Sequence, residues 1–225
     1  MIARLLATAL ALALIAVPLS GCSDNADPAG LKGEVVTGPG VRAVPPPFPA
    51  EKQKLAQRIR LLGLPAVGKE TFHQHAQLRI YVDGLLVQSP TNMGLDYKNK
   101  VFSSLHTHEP SGVIHQESDK PFVATLGDVF AIWGVTFGPG QLGSLKNGDG
   151  RKLRVYVNGT KIEDPATYKI KKNDNIVIAF GTGKEQIDLT PDTTNLRKAN
   201  SGAASCSIGG KDGKKRKGCL ISEKG

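Results

Sequence analysis

The chain has 225 residues, with 29 Lys and Arg against 20 Asp and Glu, a net charge of +9 and a pI near 9.5. That length is enough to bury a core as one moderate domain or two small ones. Three cysteines and two methionines, one of them Met1, are too few for a soft thiolate or thioether copper(I) site.

In chain order, the first segment pairs a positive start, Met1-Ile2-Ala3-Arg4, with an apolar run over residues 5–17, and Leu19-Ser20-Gly21-Cys22 follows at once. The run is shorter than the roughly 20 apolar residues a spanning helix needs. The tetrapeptide resembles the lipobox of bacterial lipoprotein signals. That resemblance covers residues 1–22. It implies a signal peptide over 1–21, lipidation of Cys22 as the mature N-terminus, and an extracytoplasmic protein anchored to the cell membrane through its N-terminal lipid. In such a compartment the two remaining cysteines, Cys206 and Cys219, form an even pair, and a disulfide between them is the expected outcome.

Residues 22–50 are rich in Gly and Pro, ending in Pro45-Pro46-Pro47-Phe48-Pro49, and read as a spacer from the membrane. Leu55, Ile59 and Leu62 stand at helical spacing before Gly63 and Pro65, which predicts a short amphipathic helix within 51–62. Strand patterns follow at 78–87 around Asp83-Gly84, at 105–117, at 153–162 around Asn158-Gly159, and at 176–180. Between them, Thr125-Leu126-Gly127-Asp128 has the form of a capping box opening a second short helix that Gly134 stops. The fold class is therefore α+β and strand-dominated, built of antiparallel hairpins with two short helices. Residues 51–136 form a helix plus a His-rich strand half, and 137–190 form a second hairpin half. Leu78-Arg-Ile-Tyr-Val-Asp-Gly echoes Leu153-Arg-Val-Tyr-Val-Asn-Gly, by duplication of a hairpin unit or by convergence on the same turn chemistry.

All five histidines, His73, His75, His106, His108 and His115, fall within 43 residues. For random placement that has about one chance in a hundred, so the clustering calls for a cause. Neutral imidazole is the commonest transition-metal ligand. In a strand, residues two apart share a face, so His73 with His75, and His106 with His108, are bidentate pairs. The alternation also puts Ala76, Leu78, Ile80 and Val82 on one face and the histidines on the other. Glu109-Pro110-Ser111-Gly112 has the composition of a type I turn, and closing it with His108 opposite Val113 sets His106 opposite His115. A bulged loop would instead turn His115 to the opposite face.

These residues predict a zinc or copper(II) site with His106, His108 and His115 as its principal ligands and His73 and His75 completing it or forming a lesser site nearby, in a protein that holds or delivers the metal without chemistry of its own. Two alternatives stand beside it. The first is a histidine-ligated metalloenzyme with an open coordination position and Glu109 or Glu117 as general base. His106-Thr107-His108-Glu109 is similar to the cupin metal motif, except that the Glu follows at once. The second is a cell-envelope interaction protein whose histidine face binds a partner without metal, under control of pH near 6.5. Hydrolase signatures are missing, since neither Gly-x-Ser-x-Gly nor His-Glu-x-x-His occurs, and Gly181-Thr182-Gly183-Lys184 lacks the first Gly of a phosphate loop. Residues 191–225 form a basic, Cys-containing tail. Its densest run, 211–217, has no interleaved aromatics, which argues against nucleic acid, and it reads as a solvated tail that either touches anionic lipid or cell-wall polymer or contacts nothing in particular.

Overall fold

The computed structural model describes residues 34–69 and 71–201. The signal segment, Cys22, Cys206, Cys219 and the basic run 211–217 lie outside the described residues. The elements in chain order are α1 (Leu55–Leu61), β1 (Phe72–Val82), β2 (Leu85–Val87), β3 (Leu95–Asp96), β4 (Val101–Phe102), β5 (Leu105–His106), β6 (Val113–Ser118), α2 (Leu126–Trp133), β7 (Phe137–Gly138), β8 (Gln141–Leu142), β9 (Leu145–Lys146), β10 (Lys152–Val157), β11 (Thr160–Ile162), β12 (Asn175–Gly181) and α3 (Thr193–Asn200). The strand-dominated expectation holds, with three helices among the described residues where the sequence predicts two.

The two tight turns behave as their sequences demand. Asp83 and Gly84 have φ of 50° and 80°, and Asn158 and Gly159 have 51° and 82°. Positive φ at both central positions is the I′ hairpin turn that Asp-Gly and Asn-Gly favour. The capping box also forms: Thr125 Oγ1 accepts from the Asp128 N–H at 3.1 Å, and Asp128 Oδ2 accepts from the Thr125 N–H at 2.7 Å. Gly134, left-handed at φ 78°, ends the helix.

The sequence expectation needs correcting in the way the hairpins join. They do not form separate antiparallel units. A single seven-stranded sheet runs in the order β11-β10-β12-β1-β6-β5, with β2 also paired to β1, and its central pair, β1 with β12, is parallel, from Gln77 opposite Asn175 to Val82 opposite Phe180. Of the two, β12 is buried throughout and carries the near-continuous apolar run Ile176–Phe180, whereas β1 alternates apolar with polar residues. One face bears Ala76, Leu78, Ile80, Ile114, Ile176 and Ile178 and packs on α2 through a core that includes Phe130 and Trp133. Val36 and Phe48 are buried in the same core, and Trp133 Nε1 donates to the Phe48 carbonyl at 2.6 Å. The chain is thus packed well before residue 50, despite the spacer-like composition there.

The opposite face of the sheet is covered by residues 187–200. Ile187 and Leu189 pack with Tyr81, Val177 and Ala179, Arg79 reaches Asp188 and Asn175, and α3 lies against β1 and β6. Gly112 fixes the approach to this region. It has φ +81°, its carbonyl accepts the Leu78 N–H at 2.8 Å, and a Cβ there would lie 2.0 Å from the Leu78 carbonyl oxygen. Left-handed backbone costs a non-glycine residue about 1–2 kcal/mol before any clash. Gly112→Ala is therefore expected to destabilise the protein by about 2 kcal/mol or more, read from the denaturant midpoint; a change within about 0.5 kcal/mol would contradict this geometry.

Candidate metal centre

Three adjacent strands deliver the cluster. In the β1–β6 ladder His75 stands opposite His115 and His73 opposite Glu117, and in the β5–β6 ladder His106 stands opposite His115. Residues directly opposite share a face, and residues two apart along a strand share it too. His73, His75, His106, His115 and Glu117 therefore project from the same face of the sheet. The unbulged register expected from the turn, with His106 opposite His115, is the one observed. The expected closing pair of His108 with Val113 does not form. The strand ends at His106, and the Thr107 N–H instead donates to the Met93 carbonyl at 3.0 Å. His108 nevertheless reaches the cluster, with its Nε2 3.2 Å from His106 Nε2.

The donor atoms converge closely. His73 Nε2 is 2.9 Å from His75 Nε2, His75 Nε2 is 3.1 Å from His115 Nδ1, and Glu117 Oε1 is 2.9 Å from His115 Nδ1 and 2.8 Å from His73 Nε2. Neighbouring ligands of a tetrahedral zinc, with bonds of 2.0–2.1 Å, stand about 3.3 Å apart. The donors form two overlapping groups, His73, His75, His115, Glu117 and His106, His108, His115, Glu117, each within 4.8 Å. Both groups can hold a metal ion. His75, His106, His115 and Glu117 are at most 3% exposed.

Two of the rings have their tautomer fixed from outside the cluster. The Ser103 carbonyl, which only accepts, is 2.9 Å from His106 Nδ1. Asn200 uses its Nδ2 to donate to Asn173 Oδ1 and turns its Oδ1 to His75 Nδ1 at 2.9 Å. Each Nδ1 must therefore carry the proton, which leaves an unprotonated Nε2 on neutral His75 and His106 aimed at the other donors. Outer partners that orient a ligating imidazole in this way are characteristic of metal sites. Glu117 supplies the complementary signal. Its Oε1 accepts from neighbouring imidazoles, while its buried Oε2 accepts no hydrogen bond among the described residues. A buried carboxylate oxygen left without a partner is costly, and a cation would satisfy it.

All five sequence-predicted histidines thus belong to the cluster. Glu117 is the ligand candidate that histidine counting misses, although His115-x-Glu117 has the same two-residue spacing as the histidine pairs. Glu109, the other proposed base and the acid of the cupin-like segment, lies elsewhere, half-exposed and 3.8 Å from Lys198 Nζ. Asn200 and Ser103 carry no local signal, because their role depends on the folded contact. Compared with known proteins, the chain matches no family model, no curated sequence and no solved structure, so the functional reading rests on this geometry.

Burial sets the protonation of the site. It lowers His106 to about 3, His115 to about 4, and His75 below its ordinary value. For Glu117, burial alone would raise the carboxyl, but hydrogen bonds from His115 and His73 outweigh it and hold the group below the carboxylate range. His106 and His115 therefore stay neutral well below pH 6.5, where an exposed imidazole would already be protonated. In the unfolded chain they titrate near 6.5. Between pH 6.5 and 4 the unfolded state therefore binds protons that the folded state refuses, and folding stability falls with pH. Glu117 acts in the same direction, since the stability it contributes above its unfolded value is lost as pH falls. Metal-stripped protein should lose of order 1 kcal/mol per pH unit for each such histidine below pH 6.5, measured by denaturant unfolding at pH 7, 6 and 5. A constant or rising stability over that range would contradict the buried, neutral cluster.

Proposed function

We propose that this protein holds a divalent transition metal, zinc or copper(II), in a buried histidine–carboxylate centre at the cell envelope, for storage or delivery. The observation that carries the reading is the convergence of His75 Nε2, unprotonated and oriented from behind by Asn200, with His73, His115 and the partnerless side of Glu117. All donors are nitrogen or oxygen, the set that suits zinc and copper(II) rather than copper(I). Burial of the donors suits retention of an ion.

The envelope location is carried by sequence. The segment ending in Leu19-Ser20-Gly21-Cys22 resembles a lipoprotein signal, so Cys22 is the proposed lipid attachment point and Cys206–Cys219 the proposed disulfide. The basic run at 211–217 would then face anionic lipid or cell-wall polymer.

His115 belongs to both ligand groups, so it is the residue to remove. Calorimetric titration with Zn(II) should show His115→Ala binding at least about 100-fold more weakly than wild type, roughly 2.7 kcal/mol, with an unchanged far-ultraviolet spectrum. Equal affinity in the folded variant, or no zinc binding by wild type, would overturn the reading. For the anchor, Cys22→Ala expressed in a bacterial host should leave the membrane fraction or accumulate as precursor. Normal maturation with membrane retention would refute lipidation at Cys22.

A further inference from the structure

Resting on the metal-binding reading above, we propose that the cluster takes two ions, bridged by the Glu117 carboxylate. The first ion is held by His73 Nε2, His75 Nε2, His115 Nδ1 and Glu117 Oε1, and the second by His106 Nε2, His108 Nε2 and Glu117 Oε2.

Six side chains converge, but they fall into two overlapping groups that share only His115 and Glu117. Each group has its own pincer: His73 and His75 close to 2.9 Å at one end, and His106 and His108 to 3.2 Å at the other. Between them the carboxylate is split. Oε1 lies 2.8 Å from His73 Nε2 and 2.9 Å from His115 Nδ1, whereas Oε2 points the other way, 3.8 Å from His106 Nε2.

A single ion in the first group leaves Oε2 buried and without a hydrogen bond among the described residues, facing the His106–His108 pincer, where the Nδ1 proton of His106 is committed to the Ser103 carbonyl. Glu117 is 1% exposed, so bulk solvent does not reach that oxygen. A second cation between Oε2 and that pincer satisfies the oxygen. It also supplies positive charge against a carboxylate that burial would otherwise penalise heavily. Carboxylate bridging is compatible with the separation of about 3.5–4 Å found in two-metal sites. The two positions differ in kind. The first has four protein donors, the closed arrangement of a holding site, and the second has three, which leaves a coordination position for water or an exogenous ligand.

The test uses the full chain, stripped by chelator and reloaded with Cu(II) in steps, with bound metal counted by elemental analysis after desalting and the copper observed by electron paramagnetic resonance. Wild type is expected to retain two equivalents. The second should convert the isolated Cu(II) signal into that of a spin-coupled pair. His108→Ala should stop at one equivalent and keep the isolated signal. Saturation of wild type at one equivalent would overturn the second ion while leaving metal binding intact, and no retained copper would overturn both. Two equivalents with the full intensity of isolated ions would show that Glu117 does not bridge them. Retention of two equivalents by His108→Ala would remove this residue, and the proposed second position, from the account.

Discussion

The structure turns on one buried carboxylate. Glu117 sits in β6 of the seven-stranded sheet with 1% of its surface exposed, among five buried or partly buried imidazoles. Removing such an ion from water costs several kcal/mol unless opposite charge and hydrogen bonds replace the lost hydration. Hydrogen bonds from His73 and His115 offset part of that cost at one oxygen, and the other oxygen accepts none. A buried carboxylate of this kind is costly, and a cation held between it and the imidazoles would offset that cost.

Sheet geometry makes the cluster possible. The two-residue repeat of a strand places His73 with His75 and His115 with Glu117, and the antiparallel registers of β1, β6 and β5 set the pairs side by side. The opposite face of the same strands carries the main apolar core against α2. The histidine face is closed by residues 187–200, whose Asn200 orients His75. Burial lowers the pKa of His75, His106 and His115, and the outer partners of His75 and His106 leave their Nε2 lone pairs facing the cluster that assembles on folding.

The sequence exposed those parts of this arrangement that depend on near neighbours. Two-residue spacing made the histidine pairs readable, Pro110 and Gly112 located the turn that sets His106 against His115, and Asp-Gly and Asn-Gly marked both I′ hairpins. The capping box at Thr125 was equally local. Contacts distant in the chain were not readable. The parallel pairing of β1 with β12 joins strands about a hundred residues apart, and nothing within either strand specifies it. Helix α3, TTNLRKAN, is short and mostly polar, so its pattern does not announce a helix that packs on a sheet. Glu117 shows the same limit at the scale of one residue: its spacing from His115 was visible, but its role depends on lying opposite His73 on a neighbouring strand.

The account rests on imidazole and carboxylate donors surrounding a metal, and X-ray absorption at the zinc edge of the zinc-loaded full chain tests this most directly. The expected first shell contains only nitrogen and oxygen, at about 2.0–2.1 Å, with the outer-shell scattering of several imidazole rings. A sulfur scatterer at about 2.3 Å, or an oxygen shell without imidazole scattering, would place the metal elsewhere and contradict the account.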